Sequence, residues 1–352
     1  MTSRKRMLAT FDFACPDRLP VIYHPSEAGL YVHGQKLLDL FRGFPPDARY
    51  PYIPPVTPMI FDDVPLPSPK PETLAGDGRY YEEVTDGWGT RWGLHTFGIG
   101  GQPVGYPFAS WEAARDYAFP ALPDLRNPRF HERHAIPSAI RENYLIFSGW
   151  VSLFQQLYAL RPMEDVLMDL ATGEPHMLDF VDRLAGYCHQ TVDFLLAAGV
   201  DVIVFGDDWA AQSSPLTSPA IFRELFKPHY RRLFAKVHQS GGRVLFHCCG
   251  KMDYLLDELF EMEIDGLWHQ CALYDDDAFA GRCREAGVTV LLHLDRQHLI
   301  PHGTPAEIQA TVQRFAKRYK ALGGGAIFYV EIENDAPFAN VKALIEGIDR
   351  SR

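Results

Sequence analysis

The chain lacks any apolar run near the 18 or so residues a membrane-spanning helix needs. Its N-terminus, with Arg4, Lys5 and Arg6, leads into no apolar signal segment. Positive charge is also short: 34 Lys and Arg stand against 45 Asp and Glu, a net charge of −11. That balance argues against nucleic-acid and anionic-membrane partners, and against a polyanionic substrate unless arginines gather at one site. Cysteine is sparse and unevenly placed, six in all, with Cys248 adjacent to Cys249. Such a pattern makes a poor disulfide framework and suits a reducing, cytoplasmic compartment. No Gly-x-Gly-x-x-Gly turn follows a strand pattern, and Gly323 to Gly325 precede a strand instead of opening a helix, so no phosphate cradle is expected. Internal repeats and low-complexity tracts are absent.

What is present is an ordinary globular composition, 47% hydrophobic and 22% charged over 352 residues. A short helix over 4–13 precedes a strand over 21–24. Prolines crowd residues 43–75, a composition expected to exclude regular structure and to give a long ordered loop or lid. Residues 79–111 are rich in aromatics and glycines and read as a β-hairpin region. There Trp88, Arg91 and Trp92 are candidates for a pocket wall, with packing on the body of the protein as the simpler use. From residue 140 onward strands (144–148, 201–205, 244–246, 266–269, 288–294, 326–332) alternate with helices (163–171, 175–198, 218–239 with a kink at Pro228, 253–261, 277–286, 305–321, 336–348). That rhythm makes parallel βαβ units. Seven strands are legible and an eighth is expected among the prolines before residue 140. The pattern predicts an α/β fold, a (β/α)8 TIM barrel forming a single domain over 1–352, with 43–111 as an irregular decoration.

Chemistry in such a barrel sits where strands end. The ends here are polar one after another: Asp207 and Asp208; His247, Cys248 and Cys249; His269 and Gln270; His293 and Asp295; Tyr329, Glu331 and Glu333. Side chains alternate along a strand, so His247 and Cys249 share a direction that Cys248 does not. An imidazole and a thiolate side by side form half a zinc site, and a catalytic zinc takes three protein ligands. Glu331 and Glu333 are the expected completing ligands, with His269 and Cys271 as rivals. The bland alternative makes both cysteines small buried hydrophobes. Of Asp207 and Asp208, one is expected to face the mouth as a base or substrate anchor and the other to cap a loop. Asp207, Asp208, His269, Asp295 and Tyr329 are the catalytic candidates, and Asp335 is expected to cap the last helix.

Read in order, several stretches resemble the uroporphyrinogen decarboxylase superfamily, which includes zinc-dependent methyltransferases working with corrinoid proteins. They are Asp17 to Val21, Arg161 to Glu164 with Asp169, Gly199 to Asp201 running to Gly206, Asp207 and Asp208, then Gln212, Ser218-Pro219 and Lys227-Pro228. His247-x-Cys249-Gly250, Asp295-x-Gln297, Gly303 to Pro305, and Asp335-x-Pro337 with Asn340 complete the series. The resemblance implies a barrel with its site at the C-terminal mouth, and often a homodimer. The true decarboxylases use arginines in an N-terminal segment whose counterpart here, 21–29, has none, so porphyrinogen decarboxylation is not expected. The methyltransferase branch implies zinc on His247, Cys249 and a distant cysteine, near whose place Val330 stands between Tyr329 and Glu331. The activity implied by the resemblance is that of a zinc-dependent methyltransferase or demethylase moving a methyl group between a small substrate and a separate corrinoid (cobalamin) protein. The runner-up is decarboxylation of a small carboxylic acid held by Arg91 or Arg296, and the third reading is a barrel that only binds a ligand.

Overall fold

The computed structural model of the chain describes residues 1–24, 26–49 and 66–351. Its centre is one eight-stranded sheet: β1 (Val21–His24), β2 (Ala48–Arg49), then, beyond three strands of a separate small sheet, β6 (Leu145–Val151), β7 (Val202–Gly206), β8 (Arg243–His247), β9 (Gly266–Trp268), β10 (Thr289–Leu292) and β11 (Ala326–Glu331). Every pairing in it is parallel. The sheet curls so that its ends meet: the Asp47 amide donates to Val21 O at 2.8 Å, beside β2 and β1 respectively. The fold is α/β and TIM-barrel-like.

Parallel strands covered on both faces are apolar throughout, and β7 illustrates it. Val202 and Val204 join the inner cluster with Leu145, Phe147, Leu245, Leu291 and Ile327. Ile203 and Phe205 face outward into the larger core shared with the surrounding helices. The N-terminal helix, Ser3–Phe11, plugs the bottom with Met7 and Phe11. Its Arg4 pairs with Asp201 at 2.7 Å and its Arg6 with the fully buried Asp47 at 2.6 Å. The opposite end, where the strands finish, is left for function.

Three expectations change. Regular structure does occur in the proline-rich run: β2 follows Pro45 and Pro46 closely and supplies the eighth strand, while the stretch 50–65 lies outside the described residues. A two-residue strand tolerates flanking prolines because it needs few ladder bonds. The hairpin region is a three-stranded antiparallel sheet, β3 (Glu82–Thr85), β4 (Arg91–Leu94) and β5 (Gln102–Gly105). Its Trp88 packs edge-on against Phe119 and Tyr187, and its Trp92 donates to Asp86. The helix over 218–239 is interrupted by a π-helical turn, Phe222–Phe226, directly before Lys227 and Pro228. Proline cannot donate the next backbone bond, and a widened turn absorbs the loss. No described helix is long and apolar enough to cross a membrane.

Candidate metal centre and its surroundings

Strand β7 ends at Gly206 and strand β8 at His247, and these two ends build a compact group. His247 Nε2 lies 3.4 Å from Cys249 Sγ and 3.6 Å from Asp208 Oδ1. All the candidate ligand atoms of Asp208, His247 and Cys249 fall within 4.8 Å of one another. Zinc bonds of about 2.0–2.3 Å in a tetrahedron place ligand atoms roughly 3.3–3.8 Å apart, a range that holds both separations from His247 Nε2. The Cys249 amide also donates to Asp208 Oδ1 at 2.7 Å, which tethers the carboxylate to the turn. Cys248 points the other way, into the core, where its sulfur accepts from the Trp209 amide at 3.4 Å.

Burial lowers the pKa of His247 and so favours the neutral imidazole that a metal ligand needs. It also pushes the Cys249 thiol up to about 12, with Asp208 adding to the rise. A divalent cation reverses that, because a coordinating thiol is deprotonated outright.

The turn after Cys249 depends on Gly250, whose φ is +80° and whose Cβ, if present, would clash with the carbonyl oxygens of Ala210 and Ala211. Gly250→Ala is expected to cost about 1–3 kcal/mol of stability, read by denaturant unfolding. An unchanged midpoint would show that the turn relaxes freely.

The glutamates expected to complete the site are not in this group. Glu333 accepts from Arg296 at 2.6 Å. Glu331 lies 3.6 Å from the same guanidinium and 3.7 Å from His24 Nε2, its register partner on β1. They sit at the last strand, across the mouth, and the carboxylate adjoining His247 and Cys249 is Asp208 instead.

Of the adjacent pair, Asp207 is the one that caps. Its carboxylate is fully buried and accepts from the amides of Leu153 (2.9 Å), Phe154 (3.0 Å) and Gln155 (2.5 Å), from Ser152 Oγ (3.1 Å) and from the Tyr230 hydroxyl. It caps the start of the helix Phe154–Leu160, and with its lone pairs engaged it has none to offer a substrate. Burial pushes its pKa up to about 7 against the pull of those amides.

Of the remaining candidates, His269 and Asp295 line a cavity, and Tyr329 packs against its lining residues Trp268 and His293. Tyr329 is buried, its ring 4.4 Å from Trp268 and 4.9 Å from His293. His269 is buried beside Phe279 and Tyr274, and burial lowers it to about 4. Asp295 accepts from the amides of Gln297 (2.8 Å) and His298 (3.0 Å) and so shapes its own loop. Next to His247 and Cys249 opens a cavity of about 140 Å³, lined among others by Trp268, His269, Gln270, His293 and Arg296. Gln270 ties this wall to the metal-ligand turn by accepting from Gly250 N and Gln212 Nε2, both at 3.0 Å. Trp150 is a neighbour that strand patterning did not single out; its indole centroid is 5.1 Å from the His247 ring. The available signal was Gly149 inside a strand, which marks a bulge.

No curated protein matches the chain in sequence. Among solved structures, a methyltransferase from Methanosarcina mazei is similar over 99% of both chains, with a TM-score of 0.68 and 16% identity. Likeness at that identity concerns the fold. A dihydropteroate synthase from Xanthomonas albilineans reaches a TM-score of only 0.32 at 16% identity, over 47% of this chain and 60% of that one, too slight to carry an argument. The sequence pattern of the family described as Uroporphyrinogen decarboxylase (URO-D) matches residues 148–351. The chain belongs to the uroporphyrinogen decarboxylase family.

Proposed function

We propose that this protein is a zinc-dependent methyltransferase or demethylase that exchanges a methyl group between a small substrate and a corrinoid carried by a separate protein. The observation that carries the reading is the convergence of Asp208, His247 and Cys249 within 4.8 Å at the ends of two adjacent strands. The full-length likeness to a methyltransferase barrel agrees with it. In this reading the whole chain works as one (β/α)8 unit, with 43–111 as its decoration. His247 Nε2, Cys249 Sγ and Asp208 hold the metal, leaving one position open. Zinc there supplies a Lewis acid that polarises a bound oxygen or sulfur. His269 and Asp295 line the chamber beside it, Tyr329 backs it through Trp268 and His293, and Glu331 and Glu333 act through Arg296.

Decarboxylation of a small acid is less well supported. Arg296 is engaged by Glu333 and Glu331, and Arg91 lies on β4 against Glu83 at 3.3 Å, so both candidate carboxylate holders are committed. Purified protein is expected to hold about one zinc per chain and to change the cobalt absorption of added methylcobalamin or Co(I) corrinoid in the presence of substrate or acceptor thiol. Protein that neither contains nor takes up zinc, or that never alters the cobalt spectrum while releasing carbon dioxide from small acids, would falsify the reading.

A further inference from the structure

The indole of Trp150 has no part in the metal group itself. It is 45% exposed, yet it is held from several sides. A register shift in β6 between Ser148 and Val151, with Gly149 at φ +98°, re-aims the side chain, the use to which bulges beside sites are put. The indole N–H donates to Gln155 Oε1 at 2.8 Å, and the Gln155 amide is in turn held by Asp207. The ring lies on Gly206, where a Cβ would overlap the indole atoms Cε2 and Cζ2. Three neighbouring residues therefore divide the work: Gly206 clears room for the indole, Asp207 fixes the segment that steadies it, and Asp208 enters the metal group. The ring is 5.1 Å from His247 and 6.0 Å from Trp268.

A pinned aromatic face that folding leaves half exposed, beside convergent polar groups, has the form of a ligand anchor. We propose that Trp150 is a specificity-determining residue of this site, its indole receiving the ring-sized apolar part of a substrate that carries no negative charge. The inference rests on the zinc reading only for the substrate's heteroatom, which would reach Asp208, His247 and Cys249. Size follows from the cavity of about 140 Å³ lined by His247 and Trp268, the two rings next to the indole, a volume close to the roughly 150 Å³ of an apolar cavity that holds benzene. Charge follows from the carboxylates around the mouth, Asp208, Asp295, Glu331 and Glu333, the last two of which already take up Arg296.

The test uses the full-length protein with benzyl alcohol and benzoate, the same ring without and with a negative charge, followed by ligand-observed NMR titration. Benzyl alcohol is expected to bind about 3- to 10-fold more weakly to Trp150→Ala than to the unaltered protein, and nearly normally to Trp150→Phe. Gly206→Ala, which evicts the indole, should behave like Trp150→Ala. Benzoate is expected to bind the unaltered protein more weakly than benzyl alcohol does. Equal binding by Trp150→Ala, equal binding of the two probes, or no binding of benzyl alcohol to the unaltered protein would each overturn the proposal. So would loss of zinc from Trp150→Ala, which would make the indole a support of the metal group. Zinc measured on the same samples separates the two ideas, since Trp150-dependent binding in protein that never holds zinc sinks the metal reading and leaves this one standing.

Discussion

Cys249→Ser and His247→Ala are each expected to weaken zinc binding by more than about 100-fold, because even outer-shell partners of a metal account for roughly 10- to 100-fold. Competition against a chromophoric chelator measures it. Asp208→Asn should lose affinity in the same direction, since an amide oxygen carries no charge to offset the cation's. The informative contrast is with Glu331→Gln and Glu333→Gln. Their carboxylates lie on Arg296, at 3.6 and 2.6 Å, while Asp208 lies 3.6 Å from His247 Nε2, so both glutamine variants should keep zinc. The reverse pattern, with Glu331→Gln empty and Asp208→Asn full, would reassign the third ligand to the last strand. Zinc removal alone should leave Cys249 as a protonated thiol, because burial holds it near 12 without the cation.

Asp207→Ala should have the largest effect on the fold itself. Three amides, a serine hydroxyl and the Tyr230 hydroxyl all lose their acceptor at once in a site with no solvent access. Breaking a buried charged network by removing one member costs about 3–5 kcal/mol, against about 1.5–3 kcal/mol for taking away one hydrogen bond to a charged group, as in Tyr230→Phe. Urea unfolding of the two variants provides the comparison. If Asp207→Ala unfolded at the unaltered midpoint while turnover vanished, Asp207 would belong with the catalytic groups after all.

Much of the barrel was legible because parallel strands buried on both faces leave apolar runs, and the runs at 201–205 and 244–246 appear in the structure within a residue or two as β7 and β8. Strand β2 was hidden: two residues give no periodicity, and Pro45 and Pro46 read as a breaker. At the site, period-two alternation rightly separated Cys248 from His247 and Cys249, since that rule is local. The third carboxylate was a different matter. Glu331 and Glu333 share a strand face, but which strand end comes nearest His247 depends on how far each loop folds back over the mouth, and local spacing carries no record of it. Asp208 reaches the group because it stands past the end of β7, where the chain has left the alternating register. Asp207 and Asp208, identical in type and adjacent, were divided between a clamp and the mouth only by the donors that the segment 152–155 presents.

The seam between the two ends of the sheet has a consequence for how the protein is made. Val21 pairs with Phe328 on one side, and on the other its carbonyl accepts from Asp47, whose carboxylate is gripped by Arg6 and Arg18. On the ribosome the first strand must therefore wait for the last: the ring cannot close until Glu331 has emerged, long after Val21 has left the exit tunnel. Pairings so distant in sequence make folding slow and expose unpaired strand edges in the meantime. The arginine-bearing helix at the N-terminus, able to hold Asp47 through Arg6, offers β2 and β1 a local partnership during that wait, so removing the residues ahead of Val21 should harm the yield of folded protein more than it harms protein already folded.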